Sequence, residues 1–115
     1  MINRLQPGPR MSQAVVHGNT VYLAGQVASD TSADVAGQTR QVLAAIDRLL
    51  QAAGTDKSRI LSATVYLSDM ATYSQMNLAW DQWVPDGATP ARATVEAKLA
   101  APGYRVEIQA IAALP

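Results

Sequence analysis

The sequence predicts an α+β domain of order ββαβαββ, and three observations support that order. Two short apolar runs flank a Gly18-Asn19 pair, two longer segments repeat apolar residues at helical spacing, and three later segments alternate apolar with polar residues. A chain of 115 residues, 49% of them hydrophobic, can bury one core but not two.

From Ala14 to Val27 the runs Ala14-Val15-Val16 and Val21-Tyr22-Leu23-Ala24 are split by Gly18-Asn19, a pair that tolerates positive φ, and this predicts a β-hairpin. After Gly25-Gln26, the segment Thr31-Ser32-Ala33-Asp34 offers capping side chains. Val35, Val42, Leu43, Ile46, Leu49, Leu50 and Ala53 then form one helical face that ends at Gly54. Leu61, Ala63, Val65 and Leu67 alternate with Ser62, Thr64 and Tyr66 as a strand does. Ser68-Asp69 can cap a second helix, whose buried stripe is Met70, Tyr73, Met76, Trp80, Trp83 and Val84, closed by Pro85-Asp86-Gly87. In the next strand Ala93, Val95, Ala97 and Leu99 alternate with Arg92, Thr94, Glu96 and Lys98. The last strand, Arg105 to Ala113, follows a Pro102-Gly103 turn and suggests a closing hairpin. Two such helices cover one face of a sheet of about five strands. The other face, expected to hold Arg92, Thr94 and Tyr66, is left for water or for further copies of the chain.

Nine basic and nine acidic residues give zero formal charge, which removes the footprint expected of a nucleic-acid or anionic-membrane binder. With no Cys and one His, thiolate nucleophiles and Cys- or His-based metal centres are excluded, so chemistry falls to oxygen, nitrogen or water. The first residues lack the apolar run of a secretory signal, no stretch is long and apolar enough to span a bilayer, and the expected location is the cytoplasm.

Arg92 stands out because it enters a strand of small residues just after Thr89-Pro90-Ala91, where a guanidinium is costly unless an anion or several acceptors meet it. One reading is an ion pair with Glu96 or Glu107, although Glu96 lies roughly 13 Å away at about 3.3 Å per residue. The other is a bidentate grip on a ligand carboxylate. Glu107, between Val106 and Ile108, is either a solvated strand carboxylate or a base that holds water. Asn77 interrupts the second helix's apolar stripe, His17 sits exposed beside the hairpin turn, and Trp80 and Trp83 belong to the core rather than to a stacking platform.

Four segments carry a family likeness: Gly18-Asn19 through Gly25-Gln26, Met76 to Trp80, Pro90-Ala91-Arg92-Ala93-Thr94-Val95-Glu96, and Val106-Glu107-Ile108-Gln109-Ala110-Ile111-Ala112. The chain resembles the Rid (YjgF) family of enamine/imine deaminases over nearly its whole length. Met76 to Val84 and Pro102 to Ile108 look closest to the YoaB-like branch. The resemblance implies a chorismate-mutase-like fold with one mixed sheet and two helices on one face. It also implies a homotrimer with sites in the clefts between subunits, and hydrolysis of 2-enamino or 2-imino acids such as 2-aminoacrylate to 2-oxo acids and ammonia, without cofactor or metal.

By position, the likeness makes Arg92 the carboxylate grip, Glu107 the acid that places or activates water, Asn77 a pocket residue and Thr94 the source of a water-holding backbone carbonyl. Gly25 falls in the same pocket. Met11 and Ala24 stand where the best-studied branch has a tyrosine and a serine, so two hydroxyls are missing. That loss keeps open a second reading, a catalytically silent homotrimer that binds a small carboxylate metabolite.

Overall fold

The computed structural model describes residues 1–115. Its elements are β1 (Ile2–Pro7), β2 (Ser12–His17), β3 (Thr20–Leu23), β4 (Gln26–Val27), α1 (Val35–Ala53), β5 (Ile60–Leu67), α2 (Tyr73–Trp83), β6 (Ala91–Glu96) and β7 (Val106–Ala113). Single 3₁₀ turns, Lys57–Arg59 and Met70–Thr72, lead into β5 and α2. All seven strands form one sheet in the order β1-β2-β3-β7-β5-β6, with β4 also pairing with β7. The sheet is mixed, because β6 runs parallel to β5 while the other pairs are antiparallel.

Local chemistry explains most boundaries. Gly18 takes the positive φ of the two-residue β2–β3 turn at +59°. Asp34 accepts a hydrogen bond from the Gly37 amide at 2.8 Å at the start of α1, and Gly54 ends that helix in the left-handed region at φ +91°. Asp69 caps the Met70–Thr72 turn by accepting from the Ala71 amide at 2.9 Å.

The core lies between the helices and one face of the sheet. Val42, Leu43, Ile46, Leu49 and Leu50 of α1 and Met76 and Trp80 of α2 pack on Ala14, Val21, Leu23, Ala63, Val65, Leu67, Val106, Ile108, Ala110 and Ala112. Alternation along β7 leaves Glu107, Gln109 and Ile111 on the other face, beside Tyr66, Thr64 and Ser62. The molecule measures 41 × 38 × 20 Å, the thickness of two layers. No helix is long and apolar enough to cross a membrane.

Five expectations need correction. First, the sheet has seven strands, because β1 pairs along β2 and the second arm of the hairpin breaks at Ala24-Gly25 into β3 and β4. Second, β6 and β7 form no hairpin; β5 lies between them and pairs with both. Third, β6 stops at Glu96 rather than Leu99. Fourth, its faces are reversed. Arg92 and Thr94 lie opposite Ala63 and Val65, on the helix side, while Val95 lies opposite Tyr66 on the bare side. The reason is position: β6 is an edge strand beyond the apolar core, so polar side chains meet only the outer flank of α2. Fifth, an irregularity between Ile60 and Ser62 turns Leu61 outward and lets Ile60 fill the core in its place.

Candidate functional site

The arginine end of the site is built by β6 and α2. Arg92 leaves the edge strand toward the helix, where Nη1 donates to Asn77 Oδ1 at 2.8 Å and Nη2 donates to Tyr73 Oη at 3.1 Å. Tyr73 and Asn77 are four residues apart on α2 and so share a face, and Trp80 follows three residues later. The guanidinium carbon sits 4.9 Å from the Trp80 ring centroid and 5.7 Å from that of Tyr73, both cation–π contacts. Trp80 is buried as expected, but it is also the platform on which Arg92 stacks, which corrects the division between core and platform. Tyr73, expected in the buried stripe, is 42% exposed.

A guanidinium has five N–H groups, and its two side-chain oxygen acceptors here leave others for a ligand. Stacking and the two bonds fix the plane of the fork beforehand. The Asn77 hydrogen bond, then the Arg92 charge, hold the Tyr73 phenol below its ordinary pKa, against smaller opposing effects of burial and Asp81.

The carboxylate end lies on the opposite face. Glu107 stands on β7 across from Tyr66 of β5 and borders a groove of about 300 Å³ with Tyr66, Ala97, Lys98, Leu99 and Gln109. Its side chain lies over Gly25: a Cβ there would come within 2.8 Å of Glu107 Cδ and 3.1 Å of Cγ, and would collide with the carboxylate oxygen. Ala24 is held by its amide donating to the Gln13 carbonyl at 2.9 Å, while Gln26 Nε2 donates to Gln13 Oε1 and to the Ala24 carbonyl, each at 3.0 Å. Met11 is exposed in the β1–β2 turn, two residues before Gln13 and so at the same end of the sheet.

The predicted residues therefore fall into two groups. Arg92, Asn77 and Thr94 stand at the β6 edge on the helix side; Glu107, Gly25 and Ala24 lie along β7 and the β3–β4 break beside it, and Met11 lies farther off in the β1–β2 turn. Arg92 lies opposite Ala63, which lies opposite Ala110, three residues from Glu107. Two strand spacings of about 4.8 Å and three rises of about 3.3 Å put their Cα atoms roughly 14 Å apart, with side chains on opposite faces. One chain does not bring them together. No group of three or more His, Cys, Asp or Glu side chains is placed to hold a metal ion.

Two arrangements escaped sequence reasoning. Tyr73 as a partner of Arg92 was signalled by its spacing to Asn77, but only the placement of β6 beside α2 makes the contact. Gln38, fully buried, donates to the carbonyls of Thr31, Ala33 and Gly103 and accepts from the Arg105 amide at 3.0 Å. Its distant partners lie 65 and 67 residues along the chain, beyond any local pattern.

Comparison with known proteins is consistent with this architecture. The model of the family described as Endoribonuclease L-PSP matches residues 1–114. The RutC family protein YoaB of Escherichia coli is 44% identical over 113 residues, covering 98% of each chain. The 2-iminobutanoate/2-iminopropanoate deaminase of Bos taurus is 36% identical over 107 residues, 88% of this chain and 77% of that one. A crystal structure of a YjgF family member from Neisseria meningitidis superposes with a TM-score of 0.98 at 45% identity, covering 100% of this chain and 96% of the other. Both the sequence match along the chain and the shared fold lead to one conclusion: the chain belongs to the Endoribonuclease L-PSP family, also called YjgF or Rid, the family its Pro-Ala-Arg and Val-Glu-Ile segments resemble.

Proposed function

We propose that this protein is a cofactor-independent deaminase of small 2-imino and 2-enamino acids, working in the cytoplasm as a homotrimer whose sites are completed between subunits. The observation that carries the reading is the arginine end: a guanidinium already oriented by Asn77, Tyr73 and Trp80, with N–H groups left over, suits a carboxylate in bidentate geometry. The naming of the bovine relative as a 2-iminobutanoate/2-iminopropanoate deaminase supports the substrate class.

In this reading Arg92, Asn77 and the Thr94 carbonyl of one subunit meet Glu107, Gly25, Ala24 and Met11 of the next. Arg92 holds the carboxylate. Water held by Glu107 and the Thr94 carbonyl adds to the imine carbon, and Glu107 takes a proton from it. Return of that proton to nitrogen gives a carbinolamine. Passage of the carbinolamine's hydroxyl proton to the same nitrogen, again by way of Glu107, lets the C–N bond break, so that R–C(=NH)–COO⁻ and water become R–CO–COO⁻ and ammonia. Such imines also hydrolyse unaided, and positioning is what the protein adds.

Met11 and Ala24 favour a second reading, a homotrimer that binds a 2-oxo acid without turning anything over, since neither side chain offers a hydroxyl to the pocket. The name of the family model suggests RNA cleavage, but a chain with nine basic and nine acidic residues lacks the positive excess that phosphate contacts draw on.

The deciding experiment makes imino acids in place with an amino-acid oxidase, adds semicarbazide as a competing trap, and follows diversion of imine to 2-oxo acid. The wild type should compete with the trap and Arg92→Ala should lose about a hundredfold in kcat/KM. If wild type and variant are alike on small, branched and aromatic imines, the deaminase reading is wrong. Binding of 2-oxo acids without turnover would leave the silent trimer.

A further inference from the structure

The two hydrogen bonds of Arg92 differ in kind. Asn77 Oδ1 is a fixed amide acceptor, whereas Tyr73 presents a hydroxyl on a side chain that is 42% exposed. The phenolic oxygen accepts from Nη2 at 3.1 Å, and its own proton is left to donate. The two N–H bonds of one guanidinium nitrogen diverge by about 120°, so an acceptor on the second lies about 5 Å from Tyr73 Oη. A carboxylate gripped there carries its C2 substituent to within reach of that donor.

We propose that Tyr73 is a specificity residue in contact with substrate, whose hydroxyl donates a hydrogen bond to the acceptor atom on C2 of a bound 2-oxo or 2-imino acid. The site then reads a carboxylate together with an adjacent acceptor, not a carboxylate alone. The same bond draws electron density from the imine carbon and favours addition of water. This inference rests on the assignment of Arg92 as the carboxylate grip.

The groups facing the phenol are Arg92 from β6 and Asn77 and Asp81 from its own helix; the first two favour the phenolate and Asp81 opposes it. As pH rises, the donor is lost below the pH at which an ordinary tyrosine titrates, and the phenolate then competes with the ligand for Arg92. Selectivity for 2-oxo acids should fall over that range.

Calorimetric binding of 2-oxobutanoate and of butanoate to the full chain tests the proposal. The wild type should prefer the oxo acid by about three- to tenfold, the worth of one hydrogen bond. Tyr73→Phe, which keeps the ring against Arg92, should erase that preference, so that the variant binds the two acids alike. If Tyr73→Phe weakens both acids equally, or keeps the preference, the proposal is overturned while the Arg92 assignment stands. If the wild type binds neither acid, the Arg92 assignment fails and the proposal with it. A second measurement needs no variant of altered fold. Saturating 2-oxobutanoate should raise the titration midpoint of the phenol that Tyr73→Phe removes by more than butanoate does, and equal shifts would overturn the proposal.

Discussion

Gly25 shows how one hydrogen atom in place of a methyl group can determine where a carboxylate sits. With the Glu107 side chain lying over it, any Cβ at this position forces the acid away. Gly25→Ala is expected to keep the fold, with a melting temperature within a few degrees of wild type, and to cut imine turnover by about 10²-fold, close to the effect of Glu107→Gln. Thermal melts together with the semicarbazide assay check both halves. Arg92 was legible as a residue needing an acceptor, because a guanidinium in a strand of small residues is costly wherever it points. Its direction was not legible. Ala93 and Val95 look like an inward-facing pair, yet at the sheet edge the helix layer offers Asn77 and Tyr73 instead of an apolar floor.

Elements whose ends are set by their own side chains were the readable ones. Asp34 and Gly54 bound α1 where the sequence places them. Asp34→Ala should destabilise the chain by about 1 kcal/mol in urea unfolding, the usual worth of an N-cap. Asp56 plays the same part for the Lys57–Arg59 turn: its carboxylate accepts from the Ser58 hydroxyl and, at 2.8 Å, from the Ser58 amide. The hydroxyl bond first, then the amide bond, lower its pKa from 3.8. The ionised form is therefore favoured by folding. Its contribution is complete above that value and is lost only as pH falls through the lower folded-state value. A carboxyl titration followed by NMR should find the Asp56 midpoint below 3.8, and Ser58→Ala should return it toward that value. By contrast, β1 was hidden. Ile2-Asn3-Arg4-Leu5-Gln6-Pro7 is an almost wholly exposed edge strand with no buried face to impose alternation, and only pairing with β2 defines it. The shifted register at Leu61 was hidden for a related reason, since a bulge changes face without changing composition.

Across the whole molecule, the sheet is covered on one side and bare on the other, and the bare side exposes Tyr22, Leu61 and Val95 among polar residues. Separation of Arg92 from Glu107 makes the trimer proposal testable by mixing. Arg92→Ala and Glu107→Ala should each be inactive alone, whereas trimers reassembled from equal amounts of both should recover about a quarter of wild-type turnover. That fraction is the chance that an intact Arg92 faces an intact Glu107 across a boundary. No recovery, with mixed trimers verified by mass spectrometry, would mean that both groups act from one subunit. The layer order and most of the core were legible from periodicity, but strand order was not, because no local pattern records that β5 separates β6 from β7. That order also governs how the chain is made. Residues 106–113 are the last strand in the sequence, yet they occupy the middle of the sheet between β3 and β4 on one side and β5 on the other. Until they leave the ribosome, the N-terminal hairpins and the β5–β6 pair have no strand between them and share only the helix layer. The sheet thus stays in two parts until residues 106–113 are available, and it closes only when that strand inserts between them.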